Sequence, residues 1–199
     1  YCPPLYGGSE HFIREILPSL GVHAIKINHL DHLDATLKRE GGRIPGMIYL
    51  ETPANPTMQI HRIRSATEWA RMHEKEDNRI IVGVDNTYLG PILQRPLEHD
   101  ADVLLYSATK YIGGHSDLIS GAASGKSDVV SRIREYRNFL GGVADPNTCW
   151  MLLRSMETLA VRVKHQQTVA EKVFAHLRNH PKVDRFISAW SEDLPEADR

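Results

Sequence analysis

The sequence predicts an α/β fold built on a mostly parallel sheet, and two observations carry that expectation. Short branched apolar runs alternate with stretches of helical spacing along most of the chain. The runs end in clusters of Asp, Asn, Thr, Ser and Gly, residues that turn a chain and that gather at the ligand-facing ends of parallel strands. With 199 residues, 41% apolar and 25% charged, the chain has the material for a real core. A net charge of −1 gives no electrostatic case for nucleic acid or an anionic membrane surface. No apolar run approaches the ~18 residues of a membrane span, and the opening Tyr1-Cys2-Pro3-Pro4 lacks the order of a signal peptide. It also lacks an initiator Met, so a piece of a longer protein is expected. Two cysteines, Cys2 and Cys149, make no disulfide framework and suit a reducing, cytoplasmic compartment.

Taken in order, residues 9–20 carry Phe12, Ile13, Ile16 and Leu17 on one helical face, 22–27 reads as a strand, and 30–39 as a helix. The apolar run 47–50 ends in Glu51-Thr52-Pro53-Ala54-Asn55-Pro56, whose two prolines forbid a helix. Residues 61–76 have helical spacing. Residues 80–84 and 102–106 are strands, and 118–123 is a weaker one because of its Ser and Gly. From Pro146 to about 180 apolar residues recur at helical spacing, with Pro146 suited to the first turn and Pro181 to a stop. The domain expectation is therefore a large domain over 1–145, a long linking helix over 146–181, and the start of a second domain over 182–199, opening with a strand at 183–187.

Two strand ends carry chemistry. Asp85 follows the branched run Val82-Gly83-Val84, a costly place for a carboxylate unless something pairs with it, although a turn or helix cap would also explain it. Lys110 follows the run ending at Tyr106 and is flanked by Ser107 and Thr109; alone it would read as a snorkelling surface amine. Together, a carboxylate, an amine and two hydroxyls at the carboxyl ends of neighbouring strands match a pyridoxal phosphate pocket, in which the carboxylate keeps the pyridine nitrogen protonated and the ring able to accept electrons.

The runs Val84-Asp85-Asn86-Thr87-Tyr88-Leu89-Gly90-Pro91, Gln94-Arg95-Pro96-Leu97, Ala101-Asp102 and Ser107-Ala108-Thr109-Lys110-Tyr111-Ile112-Gly113-Gly114-His115-Ser116-Asp117 occur in order, after Leu5-Tyr6-Gly7-Gly8 and the Glu51–Pro56 motif. In this the chain resembles the Cys/Met-metabolism pyridoxal phosphate enzymes: cystathionine γ-synthase, cystathionine γ-lyase, cystathionine β-lyase and methionine γ-lyase. The resemblance runs from about Leu5 to about Val183. It implies the aspartate-aminotransferase-like fold (fold type I) and pyridoxal 5'-phosphate as cofactor. It implies Lys110 as the Schiff-base lysine, Asp85 at the pyridine nitrogen, and Ser107 and Thr109 at the phosphate. Tyr6 would stack on the ring and Asn55 lie near the ring hydroxyl and substrate carboxylate, with Thr87 in support. Without the resemblance, Tyr6 reads as a loop aromatic and Asn55 as a turn residue.

The implied function is C–S bond cleavage in a sulfur-containing amino acid by γ-elimination, with γ-replacement as the close alternative and β-elimination third. Gly8 stands where methionine γ-lyases often carry Cys, which points toward the cystathionine enzymes. Family members are longer chains that assemble as tetramers, dimers of dimers with shared active sites. Their phosphate loop, partner-reaching Tyr and Arg, and carboxylate-binding Arg lie in segments not seen here, so this stretch alone is expected to bind cofactor poorly. Two readings of other classes remain: a non-catalytic remnant, and a nucleotide-binding module at Gly121-Ala122-Ala123-Ser124-Gly125-Lys126-Ser127, whose glycines enclose three residues where a P-loop needs four. His29 and His32 have a metal-compatible spacing but no further ligand follows, so no metal is expected. His115 is expected to organise its own loop.

Overall fold

The computed structural model describes residues 1–188 and contains a four-stranded sheet. Its strands are β1 (Met47–Glu51), β2 (Ile81–Asp85), β3 (Val103–Ser107) and β4 (Gly121–Gly125), side by side in chain order. The first three are parallel and β4 returns antiparallel to β3.

Strand alternation sorts the side chains onto two faces. Ile48 and Leu50, Val82 and Val84, and Leu104 point into clusters with the helices. The helix α3 (Ile63–His73) makes the crossover from β1 to β2. It buries Ile63, Ala66, Thr67 and Ala70, a stripe at i, i+3, i+4 and i+7. Leu33 and Leu37 of α2 (Leu33–Arg39) complete the larger cluster. Tyr49, Glu51, Asp85 and Ser107 alternate with these core residues and occupy the other face.

At the amino-terminal edge of the parallel strands, Asp102 is completely buried. It accepts hydrogen bonds from Arg71 (2.8 Å), Arg79 (2.7 Å) and the Val82 N–H (2.8 Å), and pairs with Lys126 at 3.1 Å. Burial alone would raise its carboxyl, but these donors together hold it down to about 2. Gly125 is required beside it, because a Cβ there would lie 2.2 Å from the Asp102 carbonyl oxygen.

Several elements differ from the sequence expectation. The first helical stretch begins earlier, as α1 (Gly7–His11), and continues as a π turn and a 3-10 turn to Leu20. Residues 22–27 form no strand. The neighbour of this segment is Tyr1, whose amino group donates to the Ile25 carbonyl and whose carbonyl accepts from Ile27, too short a ladder to make a strand. The weak strand expected at 118–123 lies at Gly121–Gly125. After the short α4 (Gly90–Leu93) and β3 and β4 comes α5 (Ser127–Leu140), which ends at Gly141 in the left-handed conformation.

The long linking helix is two helices, α6 (Pro146–Met156) and α7 (Leu159–Leu177). Asp145 caps the first, accepting from the N–H groups of Asn147 and Thr148. The break at Glu157 and Thr158 has a local cause: the Ser155 carbonyl accepts from the Arg162 guanidinium and the Thr158 N–H, so the regular ladder is interrupted. Residues 183–187 are irregular, not a strand, and the rest of the expected second domain, from 189 on, lies outside the described residues.

Candidate functional site

The carboxyl-terminal edge of the parallel strands gathers the residues singled out in the sequence. Glu51 ends β1, Asp85 ends β2 and Ser107 ends β3. Glu51 is the register partner of Asp85, and Asp85 that of Leu105, so Ser107 stands two residues further on the same face. Asp85 is half-buried, and its Oδ1 accepts the Thr87 N–H at 3.0 Å. The Thr87 hydroxyl accepts the Ser107 N–H at 2.7 Å and ties the exits of β2 and β3 together.

Lys110 lies in the tight turn after β3. Its N–H donates to the Ser107 carbonyl at 3.0 Å, and its carbonyl accepts from Gly114 at 2.7 Å. The side chain is exposed, and its amine makes no hydrogen bond or ion pair among the described residues. The Ser107 hydroxyl also has no partner among them. Thr109 differs: its hydroxyl accepts the Ser120 N–H (2.9 Å) and donates to the Ser120 carbonyl (3.2 Å), joining the two sides of the β3–β4 connection. Arg162 of α7 donates to the carbonyls of Tyr111 (2.9 Å) and Ile112 (3.4 Å) and so clamps the turn that carries Lys110.

Tyr6 is 61% exposed and Asn55 is exposed, and they meet through one residue. The Tyr6 N–H donates to Glu51 Oε2 at 2.5 Å and the Asn55 N–H to Oε1 at 3.0 Å. Burial raises the Glu51 carboxyl above its ordinary range, against the pull of those two N–H groups. Beside it, burial and then the charge of Asp85 push the Tyr49 phenol upward, and Ser9 and Asp85 lie against its hydroxyl.

Sequence reasoning quoted Glu51 only as part of a motif. The signal that singled out Asp85, a carboxylate ending a buried run, applied equally to Glu51. Asn86 was likewise missed. It is completely buried, and its amide donates to the carbonyls of Gly90 and Gln94 and to the Tyr106 hydroxyl, which pins the exit of β2. Arg162 gave no signal, since the carbonyls through which it clamps the turn, those of Tyr111 and Ile112, are distant in sequence.

The glycine-rich segment does not form a phosphate loop. Gly121 to Gly125 is the extended strand β4, and Lys126 is paired with Asp100 and Asp102 at the end of the sheet opposite Lys110. His115 donates from Nδ1 to the Gly113 carbonyl at 2.7 Å, a contact within its own loop. His29 accepts the Asp31 N–H at 3.4 Å.

The donor set fits pyridoxal phosphate: an amine and a hydroxyl without partners among the described residues, and a half-buried carboxylate, stand at one sheet edge, as binding and protonating that cofactor require. A family model described as "Cys/Met metabolism PLP-dependent enzyme" matches residues 2–198. The chain is 34% identical to the chloroplastic cystathionine beta-lyase of Arabidopsis thaliana over 194 residues, covering 96% of this chain and 40% of that protein. It is 38% identical to the L-methionine gamma-lyase of Pseudomonas deceptionensis, covering 83% of this chain and 41% of that protein. Among solved structures, cystathionine gamma-lyase from Lactobacillus plantarum complexed with L-serine superposes with a TM-score of 0.83 at 32% identity, over 96% of this chain and 49% of that one. Cystathionine gamma synthase from Xanthomonas oryzae pv. oryzae in complex with cystathionine gives 0.85 at 29% identity, over 96% and 48%. The chain thus spans about half, or less, of the length of the relatives it matches.

Proposed function

We infer the function from one premise: this chain belongs to the Cys/Met metabolism PLP-dependent enzyme family. The reading is that it forms the cofactor-binding core of a C–S lyase acting on a sulfur-containing amino acid by γ-elimination. The observation that supports it is the Lys110 amine, without a partner among the described residues, at the sheet edge where Asp85 also ends its strand. The same residues serve γ-replacement, as in cystathionine synthesis. β-Elimination is a second reading, supported by the 34% identity to a cystathionine beta-lyase.

Pyridoxal phosphate, when bound, draws electrons from the substrate amino acid and so makes its Cα proton removable. The protein's residues do the rest. Lys110 Nζ holds the cofactor in the resting enzyme. Freed by the substrate amine, it would be the base that takes the Cα proton and then a Cβ proton, the second removal that loss of a group from Cγ demands. Asp85 keeps a proton on the ring nitrogen. Ser107 and Thr109 contribute hydroxyls to the phosphate, and for Thr109 this means sharing or giving up its bonds to Ser120. Tyr6 would cover the ring and Asn55 would serve the ring hydroxyl and substrate carboxylate, while Thr87 holds the Ser107 backbone in place.

The remaining proposals are a cytoplasmic location, a homotetramer built as a dimer of dimers, and a large domain over 1–145 joined through 146–181 to a second domain from 182. Borohydride reduction of the full-length protein with pyridoxal phosphate, followed by peptide mapping, tests the assignment. The label is expected on Lys110, and a label elsewhere refutes it. Identifying the keto acid, thiol or thioether formed from candidate substrates then separates the reactions.

A further inference from the structure

We propose that Glu51 is a positioning residue whose buried carboxylate fixes Tyr6 and Asn55 at the cofactor edge by holding their backbone N–H groups. The inference rests on the reading of the site given above. Glu51 is 6% exposed, and both its oxygens are used, one by Tyr6 at 2.5 Å and the other by Asn55 at 3.0 Å. The two donors come from segments far apart in sequence, the start of α1 and the proline-flanked turn after β1. Neither the Tyr6 nor the Asn55 side chain makes a hydrogen bond of its own among the described residues, and both are exposed. Their positions therefore depend on their backbones.

A carboxylate is an expensive choice for this location. It is buried, and its register partner is Asp85, a second carboxylate on the same face. A fold needing only to fill space would be served better by an apolar side chain. What an ionised carboxylate alone supplies is two acceptor oxygens for two converging N–H donors. Glutamine offers one oxygen and presents its NH2 to the other N–H.

The test uses the full-length protein, with Glu51→Gln and, should that variant not fold, Glu51→Asp, which keeps the charge but withdraws it by one methylene. Amide exchange in the cofactor-free protein is expected to quicken at Tyr6 and Asn55 together. In the loaded protein, cofactor affinity is expected to fall about tenfold or more, as for one buried donor left unsatisfied, and the visible circular dichroism of the bound cofactor to weaken. A purely structural Glu51 would lower the melting temperature and leave that band and affinity as in wild type; that result overturns the proposal, as does unchanged exchange at the two amides. Borohydride labelling of the wild-type protein keeps the two failures apart. If Lys110 is not labelled while the coupled exchange holds, the site reading has failed and Glu51 is an anchor without a cofactor to serve. If Lys110 is labelled and the variant's affinity and dichroism are intact, only the role of Glu51 has failed.

Discussion

Replacing Asp102 with Asn probes the charge cluster that closes the amino-terminal edge of the sheet. Asp102 takes Arg71 and the Val82 N–H on one oxygen and Arg79 and Lys126 on the other. An amide keeps one acceptor and turns an NH2 group toward two donors. The carboxyl sits at about 2 against an ordinary 3.8, and at about 1.4 kcal/mol per unit the ionised form adds about 2–3 kcal/mol of stability at neutral pH. The substitution costs more than that, about 3–5 kcal/mol, because it strands buried donors. The folded value lies below the unfolded one, so the contribution is complete above the unfolded value and is lost as pH falls through the folded one. About half of it is left near pH 3.

Urea unfolding followed by far-ultraviolet circular dichroism, at about pH 7 and again near pH 3, measures this for wild type and D102N. The gap between the two proteins is expected to shrink by about 1 kcal/mol on acidification, since near pH 3 the unfolded wild type is largely protonated at Asp102 while the folded protein still holds it ionised, a proton uptake on unfolding that the variant lacks. An equal gap at both pH values, or a neutral-pH loss below about 1 kcal/mol, would show that the cluster is a solvated surface array of little worth.

Three further perturbations follow from the same contacts. Asn86→Ala strands two carbonyls and the Tyr106 hydroxyl in the core and is expected to cost about 3 kcal/mol, read as a lower urea midpoint. Gly125→Ala places a methyl 2.2 Å from the Asp102 carbonyl and is expected to cost about 3 kcal/mol or more, with faster amide exchange across β3 and β4. Arg162→Ala frees the Tyr111 and Ile112 carbonyls, so exchange is expected to quicken through the turn that carries Lys110. Lysine at 162 should not restore protection, because a single ammonium lacks the guanidinium fork.

The parallel core was legible because its signal is local. Apolar runs mark β1, β2 and β3, and the helical spacing of Ile63, Ala66, Trp69 and Ala70 marks α3. The departures come from contacts that composition and spacing do not announce. Residues 22–27 have strand composition, but the ladder beside them is the single residue Tyr1, bonded to Ile25 and Ile27. The 146–181 stretch has unbroken helical spacing, yet the Arg162 side chain captures the Ser155 carbonyl and splits it. Lys126 sits in a sequence that imitates a phosphate loop, and its ion pairs to Asp100 and Asp102 show what its amine does instead. At the site, Asp85 and Lys110 were readable as residue types out of place, whereas Glu51 and Arg162 act on backbone groups and leave no pattern of their own.

The two edges of the sheet divide the labour, and the division follows from the charges. At the amino-terminal edge three cations meet Asp102, and each also reaches another acid: Arg71 pairs with Glu74 and Asp100, Arg79 with Asp128, and Lys126 with Asp100. Every charge there is answered within the fold, which makes it a fastening for α3, β3 and the start of α5. At the carboxyl-terminal edge the balance is left open. Glu51 is satisfied by backbone N–H groups, Asp85 has one N–H from Thr87 with Tyr49 beside it, and the Lys110 amine has no partner among the described residues. A cation and a carboxylate with no ion pair among the described residues at one edge, while Asp102 at the other is fully paired, are what a site needs if a ligand is to complete its electrostatics. Substitutions at Asp102 should therefore register first in stability, and substitutions at Asp85 or Lys110 first in cofactor binding. A stability loss at Lys110 comparable to that at Asp102 would contradict this division.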